Sequence, residues 1–309
     1  MRRRGGLAGL IAGLIALAGL AAAAPPTLTA RLLALDRATV WKPAGAIPIQ
    51  FKTFHPQGMV RIGDEFFVTS VEIRRAPTFY PAPHGRYDRD AGEGVGHLFR
   101  ISAQGALLGD LVLGEGDAYH AGGLDYDGRF LWVPVAEYRP DSRSIVYRVD
   151  PRTMTATEAF RVADHIGALA RDGAGASLHG VSWGARRFYD WRIDAAGRPS
   201  GPAQVSPNRS GYIEYQDCHH LGDRRMLCSG LAGYRPPPPA PPFALGGWEM
   251  VDLRDHRPVW QSPIPLWTPA GTVMTRNPFF VEARPTGVRA YFMPEDNRST
   301  IYIYDAVTP

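Results

Sequence analysis

The sequence predicts an all-β fold: a β-propeller with five blades, closed by a strand from the N-terminus. Three observations lead to this prediction. Short runs rich in aromatic and β-branched residues alternate with glycine-containing turns along most of the 309 residues. Four such runs recur within stretches of about 45 residues, which is the size of one propeller blade. With 34 Gly and 28 Pro, the chain also has the turn residues that many short strands need.

The clearest blade lies between residues 119 and 162. Its first strand, near residues 122–126, ends at Asp127-Gly128, and Asp-Gly is a strong signal for a β-hairpin. Three more strands are predicted to follow, near residues 130–138, 145–149 and 156–162. The rest of the chain is divided by comparison with this unit.

Residues 25–309 are predicted to form one domain, with blades near 54–115, 116–163, 164–208, 209–265 and 272–309. The last blade has only three strands of its own. Residues 27–50 contain strand-like pieces around 30–35 and 46–51. A strand from this segment would complete the last blade and remove its exposed edge. Six blades are the alternative, if residues 24–53 hold more structure.

Residues 1–24 have the pattern of a signal peptide: arginines at 2–4, an apolar stretch at 5–20 and four alanines at 21–24. The apolar stretch is short for a membrane span, which favours cleavage over a retained anchor. The adjacent arginines leave a twin-arginine export signal as an alternative. Cleavage lowers the formal net charge from +4 to +1, and no basic run or helix-reading motif indicates nucleic-acid binding. We expect a periplasmic or extracellular protein without a stable membrane span.

The chain has two cysteines, Cys218 and Cys228. They flank the turn at Gly222-Asp223, so they are expected on adjacent strands of one hairpin. In an exported protein this predicts a disulfide, whereas a metal site would need closer or additional cysteines.

Two insertions, residues 75–95 and 234–245, interrupt blades one and four at corresponding places. Both are rich in proline. They are either solvated loops or covers over the same end of the ring.

A periodic set of polar residues precedes the turn of each first hairpin. The turn glycines are Gly63, Gly128, Gly173, Gly222 and Gly287, and eight residues before them stand His55, His120, His165, Glu214 and Phe279. Because the first strands of a propeller line its axis, the three histidines and Glu214 are predicted to ring one end of the channel.

Nine residues after the same glycines stand Glu72, Glu137, Ser182, Leu231 and Asp296. Positions symmetric about a hairpin turn face each other on neighbouring strands. We therefore predict that Glu72 faces His55 and Glu137 faces His120. A carboxylate beside an imidazole fixes its tautomer and raises its basicity.

Neutral imidazoles with one carboxylate suit Zn, Mn, Fe or Cu, so His55, His120, His165 and Glu214 are candidate ligands of a divalent transition metal. Further down the strand of blade four, Asp217, His219 and His220 are possible additional contributors. The alternative is architectural, since a recurring polar residue often satisfies the same backbone groups in each blade. The remaining histidines are off this register and are interpreted as ordinary surface or structural residues: His84, His97, His179 and His256.

Arginines recur in the loops that should open on the same face as the histidines. Arg139, Arg186 and Arg187 are the candidate substrate-binding residues, because a basic rim attracts an anionic small ligand. Solvated loops are the alternative. The nearby Trp183, Tyr189 and Trp191 are either a stacking surface or blade core, with core favoured.

The repeated His-x-x-Gly and Asp-Gly-x-x-Leu/Phe-Trp patterns resemble those of an uncharacterised family of secreted bacterial β-propellers. More distantly, the chain resembles the lactonase, strictosidine-synthase and gluconolactonase propellers. That resemblance implies a metal in the channel, usually calcium held by acidic and amide side chains. This sequence offers histidines instead, so those ligands do not transfer.

Two functions remain open. The first is a secreted enzyme that acts on a small, anionic molecule as a hydrolase, lactonase or lyase. The ring histidines would hold a metal or act as general acid and base, with Glu72, Glu137 and Asp296 as the catalytic carboxylates. The second is a non-catalytic propeller that binds a small ligand or a protein.

Overall fold

A computed structural model describes residues 26–307, which form five antiparallel sheets arranged around one axis and a separate two-stranded ribbon. This confirms the predicted all-β fold with five propeller blades. The predicted signal peptide, residues 1–24, lies outside the described residues. Within those residues, no helix combines the length and apolar character needed to cross a membrane.

The described part of the chain begins with helix α1 (Leu28–Leu33), followed by strand β1 (Val40–Pro48). The prediction of a strand at residues 30–35 is wrong. Thr27 caps the helix by accepting a hydrogen bond from the backbone N–H of Ala30, and the Ala, Arg and Leu residues that follow favour helix. Leu32 anchors the helix in the hydrophobic core.

Blade one begins at the axis and is interrupted by a two-stranded ribbon. The strands of this segment are, in chain order, β2 (His55–Ile62), β3 (Glu65–Arg75), the ribbon strands β4 (Phe79–His84) and β5 (Tyr87–Arg89), β6 (Glu93–Ile101) and β7 (Leu107–Leu113). The sheet order is β2-β3-β6-β7, and the ribbon forms a separate sheet.

Blade two departs from the prediction in its first strand, which is split. The strands are β8 (Ala118–Ala121), β9 (Asp125–Tyr126), β10 (Leu131–Glu137), β11 (Ser144–Asp150) and β12 (Thr155–Val162). The split lies opposite Pro134, which accepts a hydrogen bond from Gly122 but has no N–H to return one. Gly123 turns to the next blade instead, where it pairs with Ala168.

Blades three and four are regular four-stranded meanders. Their strands are β13 (Ile166–Asp172), β14 (Ser177–Ser182), β15 (Arg187–Arg192), β16 (Gln204–Pro207), β17 (Glu214–Gly222), β18 (Arg225–Tyr234), β19 (Phe243–Asp252) and β20 (Arg257–Pro263).

Blade five is completed by the N-terminal strand, as predicted. It contains β21 (Phe279–Ala283), β22 (Val288–Phe292) and β23 (Thr300–Val307), and β1 pairs antiparallel with β23 along its whole length. Because β1 occupies the outer edge of the last blade, the two ends of the described chain are joined in one sheet. This closes the ring.

The hydrophobic core consists of five layers, each between two neighbouring blades. For example, Trp248 of blade four packs against Phe279 and Phe292 of blade five, and Trp132 of blade two lies in one layer with Tyr189 and Trp191 of blade three. Tyr189 and Trp191 are therefore core residues. Each blade buries both of its faces against a neighbour, so the ring has no free sheet face to expose.

A buried polar network joins the blades at the axis. Asp217 of blade four is fully buried and accepts a hydrogen bond from the backbone N–H of Met59 in blade one. His219 lies between Asp217 and Asp125 of blade two, with its Nδ1 3.3 Å from an Asp125 carboxylate oxygen. Asp125 also accepts from the backbone N–H of Arg171 in blade three. These contacts replace water at backbone groups that the narrow axis would otherwise leave unpaired.

Cys218 and Cys228 form a disulfide, as predicted, and they face each other directly on β17 and β18. Both are completely buried in the layer between blades three and four. The bond ties the first hairpin of blade four at the point where the axis network begins.

The double variant Cys218→Ala, Cys228→Ala is expected to lose about 2–3 kcal/mol of unfolding free energy. The bonded residues are 10 apart in sequence, and closing a loop of that size removes this much chain entropy from the unfolded state. Urea unfolding of the oxidised wild type and the variant measures the difference. A reductant should destabilise the wild type but leave the variant unchanged; equal stabilities of the two oxidised proteins would contradict the prediction.

Candidate active site

Four side chains from the starts of four first strands meet at one end of the axis. His55 begins β2, His120 lies in β8, His165 directly precedes β13 and Glu214 begins β17. All four line one cavity of about 190 Å³. The fifth position of the series, Phe279, is buried in the core. The predicted ring of polar side chains therefore exists at this end, which we call the channel mouth.

His165 is held as a neutral imidazole of defined tautomer. Its Nδ1 lies 2.8 Å from the backbone carbonyl oxygen of Glu137, and a carbonyl only accepts, so the ring carries its proton at Nδ1. Burial lowers the pKa of His165 to about 4. At neutral pH its Nε2 is therefore a hydrogen-bond acceptor.

His120 is the second neutral imidazole of the mouth. It stacks on Tyr138, with ring centroids 4.3 Å apart, and its centroid is 5.5 Å from that of His165. Burial, followed by the charges of His165 and His55, lowers the pKa of His120 well below its usual value. Its Nδ1 is buried and has no hydrogen-bond partner among residues 26–307. A buried polar atom in this state is unusual in a native protein.

His55 forms a dyad with Asp296. The His55 Nδ1 lies 2.8 Å from an Asp296 carboxylate oxygen, and Arg276 and Asn277 donate to the same carboxylate at 2.8 and 3.0 Å. Burial raises the pKa of Asp296, but the hydrogen bond from His55 and the charges of His55 and Arg276 outweigh it, so the pKa lies below its usual value. The ionised carboxylate holds the proton of His55 at Nδ1 and leaves Nε2 free.

The predicted facing of Glu72 with His55 and of Glu137 with His120 is wrong. The β2–β3 ladder and the β8–β10 ladder each shift register near the channel mouth. A slip of one residue turns a side chain to the opposite face of the sheet. Neither glutamate lines the mouth cavity.

Both glutamates are held by arginines instead. Glu72 pairs with Arg74 at 3.0 Å. Glu137 is almost completely buried between Arg139 at 2.6 Å and Arg143 at 2.7 Å. The guanidinium of Arg139 is therefore already paired with the Glu137 carboxylate.

Arg187 is likewise bound by carboxylates, at 2.6 Å from Asp141 and 2.8 Å from Asp164. Arg186 is exposed, and its side chain lies next to Gly184, which lines the mouth cavity. Of the three arginines predicted to bind substrate, Arg186 is the one whose surroundings leave it available.

The first insertion leans over the mouth. Its ribbon places Arg89 over the ring of Trp183, a cavity-lining residue, with 5.4 Å from guanidinium to centroid, and Tyr87 under Arg139 at 3.7 Å. The second insertion, residues 234–245, lengthens the hairpin of β18 and β19. The ribbon thus packs beside the cavity without lining it, whereas the second insertion carries exposed aromatic residues.

The ring histidines do not form a ready-made metal cage. Within residues 26–307, one group of three His, Cys, Asp or Glu residues has ligand atoms that all lie within 4.8 Å of one another, and it lies elsewhere. Binding of a metal by His55, His120, His165 and Glu214 stays a prediction, and it would require these side chains to move together.

Six residues that line the cavity were not predicted from the sequence: Gln57, Tyr138, Gly167, Gly184, Tyr215 and Gln216. Three of them follow the same turn register: six residues before the turn glycine stand Gln57, Gly167 and Gln216. This second position in the register therefore marks two amide side chains and a glycine that line the mouth cavity.

Comparison with known proteins places the chain in a family. Residues 14–309 match a family of unknown function, DUF6454. The chain belongs to this family. No curated protein matches it.

Among solved structures, a luciferin-regenerating enzyme is similar, with 9% identity and a TM-score of 0.50 over 87% of this chain and 95% of that one. An α-L-arabinofuranosidase from Clostridium thermocellum matches with 9% identity and a TM-score of 0.44, over 84% of this chain and 95% of that one. At such low identity, the similarity to the first of these concerns the propeller fold alone.

Proposed function

We propose that this protein is an exported enzyme that transfers protons to and from a small molecule bound at the channel mouth. One observation carries the proposal: His55 and His165 both have their protons fixed at Nδ1 by an acceptor, and both line the same small cavity. Two imidazoles with oriented tautomers and free Nε2 atoms are the elements of general acid–base catalysis.

The two histidines have different roles. With a pKa of about 4, His165 is a weak proton acceptor at neutral pH but a constant hydrogen-bond acceptor, suited to orienting a water or a substrate hydroxyl. His55 is more exposed and has an ionised carboxylate beside it, which stabilises the imidazolium formed when it accepts a proton. We assign the general base to His55, with Asp296 as its positioning residue.

A small lactone or ester fits these groups. The cavity of about 190 Å³ fits a small ligand, and its amide groups, with Arg186 next to Gly184, favour an oxygen-rich or anionic one. In a hydrolysis, His55 Nε2 takes a proton from water as the water oxygen attacks the carbonyl carbon. The imidazolium then returns that proton to the leaving oxygen when the carbon–oxygen bond breaks. The resemblance to lactonase and gluconolactonase propellers points the same way.

Export is supported by the disulfide, because such bonds persist in oxidising compartments, together with the signal-peptide pattern at residues 1–24. We propose a periplasmic or extracellular location for the mature protein.

A non-catalytic propeller is the second candidate. Tyr234 and Phe243 stack at 5.1 Å on the lengthened hairpin of blade four, and both are about half exposed. Exposed aromatic pairs of this kind are enriched where proteins bind partners. In that case the mouth would hold a ligand without converting it.

Acid release from a panel of small lactones and esters, followed with a pH indicator, tests the enzyme proposal. We expect turnover of at least one member, and the variant His55→Gln should reduce it about 100-fold or more, because the general base is removed. His97→Gln is the matched control. His97 also pairs with an aspartate, Asp110, at 2.9 Å but lies outside the cavity, so its loss should change turnover less than twofold.

If no panel member turns over while one binds in a His55-dependent manner, the protein is the binding propeller instead. If turnover is equal in wild type and His55→Gln, the assignment of the base is wrong.

A further inference from the structure

A second histidine cluster lies on the opposite face of the ring, between blades three and four. His179 is on β14, Asp190 on β15 and His256 in the turn between β19 and β20. His179 Nδ1 is 2.5 Å from Asp190 Oδ1, and His256 Nε2 is 3.1 Å from Asp190 Oδ2. All three ligand atoms lie within 4.8 Å of one another. The glycine register of single blades gives no sign of this cluster, because its members come from two blades.

In each imidazole, the ring nitrogen that does not face Asp190 contacts a serine hydroxyl. Ser177 Oγ lies 3.1 Å from His179 Nε2, and Ser206 Oγ lies 2.7 Å from His256 Nδ1. A partner at the outer nitrogen is the usual support of a metal-binding histidine. A serine hydroxyl both donates and accepts. The same arrangement therefore fits inner N–H groups on Asp190 without an ion, and inner lone pairs with one.

His256 is further fixed by its backbone and by packing. It stands at a positive φ of 56°, which is uncommon for a residue other than glycine. Its ring stacks on Phe188, with centroids 4.5 Å apart at 11°. The same conformation and backbone hydrogen bond occur at Met154 in the equivalent turn of blade two, so the turn and the stacking together fix where this imidazole lies.

The cluster borders a cavity. His179, Asp190 and Ser177 line a space of about 470 Å³, together with Arg192 and Arg224. The side chain of Asp190 is 21% exposed, whereas those of the two histidines are nearly buried. Three protein ligands beside an open volume are typical of metal sites that bind a water or ligand in the remaining position.

We propose that His179 Nδ1, Asp190 and His256 Nε2 bind a divalent first-row transition ion, with a remaining coordination position toward the cavity. Two imidazoles and one carboxylate suit Zn²⁺, and also Fe²⁺. Arg192 and Arg224 make a small anion the fitting ligand at that position. This site is separate from the channel mouth, and the proposal stands whether or not the mouth is catalytic.

Zn²⁺ titration of tag-free, chelator-treated full-length protein by calorimetry tests the site. We expect one equivalent to bind and the Tm to rise by several degrees. In the double variant His179→Gln, His256→Gln the affinity should fall about 100-fold or more. The matched control His97→Gln should bind as the wild type does, and the mouth double variant His120→Gln, His165→Gln is measured alongside to assign the ion to one of the two sites.

Asp190→Asn, which is nearly isosteric, separates loss of the ligand from loss of the fold. Circular dichroism should show that this variant remains folded. It should retain Zn²⁺ binding, but with a lower affinity than the wild type. Co²⁺ adds a spectroscopic readout, since intense visible absorption bands report a four-coordinate site. The bands should appear in the wild type and vanish in the His179→Gln, His256→Gln variant.

Three results would overturn the proposal. One is a wild type that binds no Zn²⁺ at millimolar concentration. Another is binding that persists unchanged in His179→Gln, His256→Gln. The third is loss of binding only in His120→Gln, His165→Gln, which would assign the ion to the channel mouth.

Discussion

Replacing Asp296 by asparagine is expected to lower kcat by a factor of about 10²–10⁴ while leaving the propeller folded. Asp296 accepts hydrogen bonds from the Nδ1–H of His55 and from the guanidinium of Arg276. An asparagine must turn its single carbonyl oxygen toward the cationic Arg276. Its amide NH₂ then faces His55 and selects the tautomer with the proton on Nε2, which is the atom needed to accept a proton.

The measurement is steady-state kinetics, across pH, on the substrate found in the lactone and ester panel. A positioning role predicts a fall in kcat with KM within a few-fold, because binding at the cavity is unchanged. It also predicts a changed pH profile of kcat, since the imidazolium of His55 loses its charge partner. A purely structural role would give a lower Tm and an unaltered profile of the remaining activity.

Asp110→Asn is the control for this substitution. Asp110 holds His97 at 2.9 Å as Asp296 holds His55, but on the outer part of blade one. Its kcat should stay within twofold of the wild type. Equal losses in both variants would mean that the kinetic effect comes from the fold and not from the dyad.

The channel mouth was predictable because it depends on repetition. A single index, the turn glycine of each first hairpin, placed His55, His120, His165 and Glu214 at one structural position. The propeller fold then converts equal positions in the chain into neighbours in space. Hydrophobic alternation likewise gave the blades and the closing strand.

Partners of the site were less predictable, since they depend on single residues. The β-bulges beside His55 and His120 have no clear sequence signature, yet each moves a glutamate to the other face. The contact of His55 with Asp296 joins residues 241 apart in the sequence, so it depends on how blade five meets blade one. Contacts between blades depend on how the blades pack together. Counting positions within one blade therefore does not predict them.

The buried polar network at the axis was partly predictable from the sequence. Asp125 and His219 each stand three residues before the turn glycine of their blade, so two polar residues occupy the same position in two first strands. That shared position is a sequence signal for their proximity, but it was not among the predictions. Their partner Asp217 was noted in the sequence, but as an addition to the mouth and not as the link between blades four and one.

Asp217→Ala is expected to lower the free energy of unfolding by about 3–5 kcal/mol. The substitution removes the acceptor of two buried backbone N–H groups, those of Met59 and Cys218, and a negative charge 3.6 Å from His219. Each unpaired buried donor costs about 1–3 kcal/mol, and the buried imidazolium of His219 keeps Asp125 as its one remaining carboxylate partner, at 3.3 Å. Urea unfolding followed by tryptophan fluorescence measures the loss.

Two control variants separate this effect from simple loss of a side chain. Asp64 is exposed and pairs with Arg61 at the surface, so Asp64→Ala should change stability by less than about 0.5 kcal/mol. Asp217→Asn retains a carbonyl oxygen for one of the backbone groups, so it should lose less than Asp217→Ala. A loss below about 1 kcal/mol in Asp217→Ala would show that the axis is hydrated or relaxes easily.

The pH dependence identifies the charge as the cause. Burial opposes protonation of His219, but the charges of Asp217 and Asp125 outweigh it and raise its pKa to about 9. Burial raises the pKa of Asp217 as well, to about 7. The unfolded chain releases these two protons near pH 4 and pH 6.5, so both raised values act in the same direction: stability falls as the pH rises through about 7 and then about 9. In Asp217→Ala the fall in stability between these values should flatten. If only neutral hydrogen bonds stabilised the axis, the free energies of unfolding of wild type and variant would differ by the same amount at every pH. The buried ion pair would then contribute nothing to the contact between the blades.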